Sequence, residues 1–227
     1  MITKMSTESE PALDREKAYR AIRALVVDGE LGTSETISER KLSERFGIGR
    51  TPVREALRRL TEEGLLHVVP MQGTFVRTMS FDDLREIHEM RIALEGMAAF
   101  LAAAHGVTPE MAECAAGLRK LRDKTDPDHE LSQSLGWRFH DALFVASRNG
   151  RLMAVYDALR AQSGLALRKL RNYDRLRSRQ TVDEHLEIFD AVEKGDSALA
   201  QERMRTHLAR AFQARLQALG RPLAVDG

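Results

Sequence analysis

"LSERFGIGRTPVREALRRL", residues 42–60, sets a proline inside a run with helical spacing and strings four arginines through it, Arg50, Arg54, Arg58 and Arg59. Val53, Ala56, Leu57 and Leu60 recur at intervals of three, four and seven, which gives a helix one apolar underside. Pro52 fits such a helix in its first turn, where the missing N–H has no intrahelical partner and the fixed φ suits the helix. The proline therefore marks a beginning, around Gly49 to Thr51, and the helix runs to about Glu63. Arg50, Arg54 and Arg58, four apart, stand in one row on the opposite side.

Outward from that helix, residues 38–46 form a shorter one, with Ser38 as cap and Leu42 and Phe46 inward, and Gly47 breaks the chain between the two. Upstream, "DREKAYRAIRALVVD" (14–28) carries Ala18, Ala21, Ile22, Leu25 and Val26 as a stripe. Asp14 is placed to cap its start and Gly29 follows its end. Downstream, Leu66 to Val69 and Thr74 to Thr78 are β-prone around a turn-like "PMQG", a small hairpin. Two helices joined by a glycine turn, the second basic, then a hairpin, make a winged helix-turn-helix. The hairpin tip, Met71-Gln72-Gly73, is suited to lie along a minor groove or the backbone, with Gly73 allowing close approach.

The whole chain is nearly neutral, with 35 Lys+Arg against 34 Asp+Glu in 227 residues. Residues 1–79 hold 13 basic and 12 acidic side chains, and the remainder 22 of each. Within 40–59, however, seven basic residues (Arg40, Lys41, Arg45, Arg50, Arg54, Arg58, Arg59) face only Glu44 and Glu55. Such local positive charge on a balanced protein is the footprint of a polyanion-binding face. An arginine fork matches guanine O6 and N7 in the major groove, and a good bidentate contact discriminates by about 1–3 kcal/mol. The one cysteine, Cys114, excludes an intrachain disulfide, and neither a signal peptide nor an apolar run of about 18 residues is present. These features predict a soluble intracellular protein with no membrane partner.

Beyond Ser80, which with Asp82 and Asp83 caps a long helix to about His105, helical patterns fill roughly 108–124, 131–148, 151–175, 181–194 and 196–219. The expected fold is mainly α: a disordered tail over 1–12, a winged helix-turn-helix over 13–79, an all-helical effector-binding and dimerisation domain of about six helices over 80–220, and a flexible tail over 221–227. Three of those helices each aim a histidine inward among apolar neighbours: His140 with Trp137 and Phe144, His185 with Val182, Leu186 and Phe189, and His207 with Met204, Leu208 and Phe212. One such histidine is usually a satisfied core residue. Three point to a convergent site, and imidazoles inside a helix bundle suit zinc or nickel.

"ERKLSERFGIGRTPVREALRRLTEEGLL" with "QGTFV" resembles the DNA-binding domain of the GntR family of bacterial transcription regulators, and the motif "FGxxRTPVREAL" is highly specific. The resemblance implies operator contacts at Arg40, Arg50, Thr51 and Arg54, with Gly73 at the wing. Gly49 stands where the family usually has a serine cap, and Thr33-Ser34 where a Pro-Gly turn is common. "WRFH", "DEHLEI" and "MRTHL", the last two histidines 22 residues apart, are similar to the FCD ligand-binding domain of the FadR-type branch, VanR-like subgroup. In metal-binding members an aspartate lies one turn before the first histidine; here that position is Gly136, while Asp141 points about 100° away and Gln133 is two turns distant. Three readings follow: an open three-histidine site with positions left for water or effector, a weakened site, or no metal.

By the resemblance, effectors are small carboxylates and sugar acids bound near the metal, with His140, His185 and His207 among their contacts. Arg91, on the inner side of its helix, is placed to meet such an anion; an Arg91–Glu95 pair one turn apart is the equally open alternative. The chain is thus expected to be a homodimeric, cytoplasmic, bacterial transcription regulator, a repressor relieved by its effector and nucleoid-associated when bound to double-stranded operator DNA. It is not expected to be an enzyme. A metal-dependent hydrolase using the three histidines and a ligand-independent dimeric DNA binder are the competing readings.

Overall fold

In a computed structural model the chain is described at residues 10–124, 128–167 and 175–218. The expected tails lie outside these residues, apart from the 10–12 end of the first. Nine helices and two strands are formed among the described residues. They divide between two compact units.

The first unit contains α1 (Glu10–Asp28), α2 (Glu39–Phe46), α3 (Arg50–Glu62), β1 (Leu66–Val69) and β2 (Gly73–Val76). α1 starts before Asp14, so that residue lies inside the helix and does not cap it. Ser38 caps α2, its side chain accepting from the Lys41 N–H, and Gly47 closes it with φ 62°, the left-handed region that glycine enters without strain. Gly49 then opens α3 with no side-chain cap, and Pro52 falls in the first turn. Val53, Ala56, Leu57 and Leu60 are buried against Ala18, Ile22, Leu25 and Val26 of α1. The hairpin pairs antiparallel, Leu66 opposite Val76 and Val69 opposite Gly73. The Ile37 N–H donates to the Thr74 carbonyl at 2.8 Å, tying the hairpin to the loop before α2.

This unit also takes in residues 160–167, which sequence patterning places in the helical domain. The reason is packing: Ala161 and Leu165 are buried in the same core as α1 and α3, and Gln162 Nε2 donates to the Glu63 carbonyl at 2.8 Å.

The second unit begins within α4 (Phe81–His105) and continues through α5 (Pro109–Arg122), α6 (His129–Ala146), the first part of α7 (Gly150–Leu167), α8 (Arg175–Glu193) and α9 (Ser197–Ala218). These six helices match the expected number, and the expected 151–175 helix is described only as far as 167. Ser80 and Asp83 form a reciprocal cap at the start of α4: the Asp83 N–H donates to Ser80 Oγ, and the Ser80 N–H to Asp83 Oδ2 at 2.8 Å. Thr108 caps α5 and Asp128 caps α6. The core runs between α4, α5, α6, α8 and α9, with Phe139, Leu143, Met111, Leu118, Ile188 and Met204 fully enclosed. No single helix among the described residues is long and apolar enough to cross a membrane.

Leu60 is wholly enclosed and Leu13, on the first helix, is 58% exposed. Leu60→Ala is expected to destabilise the first unit by about 2–5 kcal/mol, read as a fall in its urea midpoint. Leu13→Ala is expected to move that midpoint by less than about 0.5 kcal/mol. Equal effects would contradict this core.

Candidate nucleic-acid interface and buried histidine site

The arginine row stands on the exposed side of α3, but its charge is less open than residue counting implies. Arg54 grips Glu39, in the first turn of α2, through two contacts, Nε–Oε1 3.0 Å and Nη2–Oε2 2.9 Å. Arg40 pairs with Glu44, Arg45 with Glu30 and Arg58 with Glu62. Arg59 turns aside altogether: its guanidinium lies 3.6 Å from the centre of the Tyr19 ring and bonds Glu63 and Glu16. Tyr19 in turn donates to Glu63 at 2.8 Å, and burial together with that carboxylate pushes its hydroxyl up to about 12. Of the seven basic residues in 40–59, Lys41 and Arg50 have no ion pair among the described residues.

Exposed pairs of this kind contribute little to stability and are readily exchanged for phosphate oxygens. They orient the guanidiniums without removing them. Arg50 occupies the first position of α3, where the helix dipole and free N–H groups also favour an anion. Thr51 beside it is exposed, as are Gln72 and Gly73 at the hairpin tip. Gly73 has φ 119°, a region that side chains rarely adopt, so the backbone of the tip favours glycine, and a Cβ there would also come close, at 3.0 Å, to Thr36 Cγ2. Met71 beside it is fully exposed at φ 65°.

In the second unit the three histidines meet as their patterning predicts. One ligand atom from each of His140, His185 and His207 lies within 4.8 Å of the others, and all three residues are buried. Nε2 of His140 and Nε2 of His185 are 3.1 Å apart. α6, α8 and α9 supply one ring each.

Two carboxylates that spacing alone does not reveal stand behind this cluster. Glu95 of α4 places Oε2 2.5 Å from His140 Nδ1, and Glu184 of α8 places Oε2 2.8 Å from His207 Nδ1. Each is matched by buried arginine. Arg91 Nε reaches Glu95 Oε1 at 2.6 Å, and Arg177 clasps Glu184 through two contacts of 2.8 and 2.7 Å. Arg91 is thus engaged by the i, i+4 partner offered by its own helix, with its guanidinium 5.6 Å from the Trp137 ring centre. Burial alone would raise both carboxyls, yet Arg91 and His140 hold Glu95 below the ordinary range. Hydrogen bonds from His207 and Arg177 likewise bring Glu184 to about 2.

Burial pushes the rings the other way. His185 is held well below the usual imidazole value, and His207 falls to about 4 despite its bond to Glu184. Both are neutral near pH 7, the form that offers a lone pair to a cation. The donor set therefore fits a divalent ion. At Gly136 a Cβ would lie 2.9 Å from His185 Cε1, so the ring of His185 packs where an aspartate side chain would have to start. Asp141 and Gln133 take no part among the three ligand atoms, and Gln133 bonds His129 instead.

Residues 14–76 match the family model for bacterial regulatory proteins of the gntR family, and residues 86–210 match the FCD domain. An uncharacterised HTH-type transcriptional regulator of Streptomyces ambofaciens is 32% identical over 205 residues, covering 88% of this chain and 84% of that protein. The HTH-type transcriptional repressor RspR of Escherichia coli is 26% identical, with 85% of each chain covered. Among solved structures, E. coli McbR/YncC shares the fold with a TM-score of 0.76 at 23% identity, over 91% of this chain and 98% of that one.

Besides His185 and His207, His88, stacked on Phe212 at 4.1 Å, is lowered by burial to about 4. A folded-state value below the unfolded one means that the unfolded chain binds more protons between about pH 4 and about pH 6.5, so stability falls as pH falls through that window. The depressed Glu184 adds loss in the same direction below it. Thermal melts of the metal-free protein are expected to show Tm dropping from about pH 7 to about pH 4.5, with His88→Phe making the drop shallower. A flat profile would contradict the assignment.

Proposed function

The chain belongs to the GntR family of bacterial regulatory proteins, transcription regulators rather than enzymes, with an FCD domain behind its DNA-binding unit, and from that premise we propose that it is a homodimeric, cytoplasmic repressor of the FadR type whose operator affinity is set by a small organic acid. The observation that carries the sensing half is the buried convergence of three imidazoles from α6, α8 and α9. Arg50 and Arg54 are the base-reading candidates of α3, with Thr51, Arg40 and the wing residues Gln72 and Gly73 on the phosphate backbone. Glu39 pre-sets the Arg54 fork. Two copies are called for because a two-fold protein reads paired half-sites.

His140, His185 and His207 are the residues to hold one zinc or nickel ion. Bound there, the ion supplies a Lewis-acidic point for an anionic oxygen. Glu95 and Glu184 are already matched by guanidiniums, so the protein offers the cation no net negative charge, and the carboxylate of the effector completes the neutralisation. Arg91 contributes as the counter-charge that keeps Glu95 in place and as a guanidinium at the edge of the cluster, over Trp137. Effector binding then shifts the population between placements of the two DNA-binding units.

Fluorescence anisotropy with DNA flanking the protein's own gene tests this reading. Arg50→Ala and Arg54→Ala are each expected to weaken binding roughly ten- to a hundredfold and to blur discrimination against a scrambled duplex. Arg58→Ala is expected to weaken both duplexes evenly and to flatten the salt dependence. His185→Ala is expected to keep effector-free DNA binding and lose the response to organic acids. No salt-sensitive preference for any sequence near the gene would defeat the proposal.

A further inference from the structure

The two carboxylates behind the cluster carry an assignment of their own. We propose that Glu95 and Glu184 are positioning residues that lock His140 and His207 as Nδ1–H tautomers, so that both rings turn a bare Nε2 toward His185. The use of that arrangement by a divalent ion rests on the metal reading above; the tautomer lock itself does not.

The same three kinds of group meet on two sides of the site, as a hydrogen bond at His207 and as a close approach at His140. On one side a guanidinium, a carboxylate and a ring follow in series: Arg91 Nε to Glu95 Oε1 at 2.6 Å, then Glu95 Oε2 to His140 Nδ1 at 2.5 Å. This contact is a close approach of charge rather than an aligned hydrogen bond, and among the described residues neither Glu95 Oε2 nor His140 Nδ1 is hydrogen-bonded to anything else. On the other side, Arg177 clasps Glu184 with both terminal nitrogens, Arg210 Nη1 stands 3.3 Å from Oε1, and Oε2 meets His207 Nδ1 at 2.8 Å. A carboxylate so surrounded by guanidinium N–H groups accepts only, so the ring nitrogen facing it must carry the hydrogen. An imidazole in its neutral form has one N–H, so a ring that carries it on Nδ1 keeps Nε2 as a lone pair.

His185 is built differently. Among the described residues no carboxylate is bonded to it: its Nδ1 is buried without a hydrogen-bond partner, and its Nε2 is 3.1 Å from His140 Nε2. Since the His140 nitrogen is bare, the proton between them belongs to His185 Nε2. His185 is therefore the one ring of the three whose proton must move to Nδ1 before its Nε2 can bind a cation. Gly136 permits this close seat, because any side chain there would meet the ring. Two rings are fixed from behind and one is left adjustable. Metal sites commonly orient ligating histidines through such outer carboxylates, whose loss weakens metal affinity about 10–100-fold.

The test uses the metal-free, full-length, tag-free chain with 15N-labelled histidine. Long-range 1H–15N correlations near neutral pH report which nitrogen of each ring is protonated. The expected result is Nδ1–H for His140 and His207 and Nε2–H for His185. Glu95→Gln is expected to release the bias of His140, and Glu184→Gln that of His207, each with its zinc affinity reduced about 10–100-fold. Glu187→Gln, at an exposed pair with Arg203, is expected to change neither. An Nε2–H form of His140 or His207 in the wild type, or unchanged tautomers in folded Glu→Gln variants, would overturn the proposal. If those variants do not fold, the wild-type tautomers decide it. A wild type with the stated tautomers that takes up no zinc supports the lock and defeats the metal reading alone.

Discussion

Two ion pairs inside the helical unit, Arg91–Glu95 and Arg177–Glu184, are the constraint on which the rest of the candidate ligand site depends. Four charged side chains are enclosed with almost no solvent contact, Glu95 with none. Burying any one of them alone would be prohibitive, since an ion taken out of water keeps a penalty of several kcal/mol even after relaxation. Paired, with Glu184 bonded to His207 and Glu95 set close against His140, they become tolerable. Apolar residues of similar volume would fill the same space at no such cost. A protein needing only a core for dimerisation has no evident use for them, and the three buried imidazoles beside them, His185 and His207 held below the usual value, sharpen the point.

The DNA-binding unit uses charge in the opposite way. Its pairs, Arg54–Glu39, Arg40–Glu44 and Arg58–Glu62, lie on the surface in water, where they are weak and exchangeable. That suits a face that must give up its carboxylate partners for phosphate and base edges. Stability there comes instead from apolar packing of α1 against α3, from caps at Ser38 and Gly47, and from the last turns of α7, whose Ala161 and Leu165 complete the core. Permanent ion pairs are kept inside the helical unit and provisional ones on the surface of the DNA-binding unit.

Much of this was legible in the residues. Pro52 and Gly47 mark the ends of their helices by steric rules that act locally, and the inward placement of His140, His185 and His207 follows from a 3.6-residue period that any buried helix face must show. What depends on partners from other helices was not legible. Glu39 is fifteen residues from Arg54, and Glu95 is forty-five from His140; no local spacing links either pair. The absence of a carboxylate at Gly136 was evident, but not that the His185 ring packs against that position. Nor did a helical pattern running past residue 160 reveal that its last turns leave one core for another, because periodicity shows which face is buried and not against what.

The central claim is that the histidine cluster is a built ligand site and not a piece of core. The most direct measurement is the divalent metal content of tag-free protein after equilibration with zinc and removal of the excess. One ion per chain in the wild type, lost in His185→Ala with the helical content unchanged, is the result this account predicts. A wild type that retains no ion, or a variant that retains as much as the wild type, would contradict it.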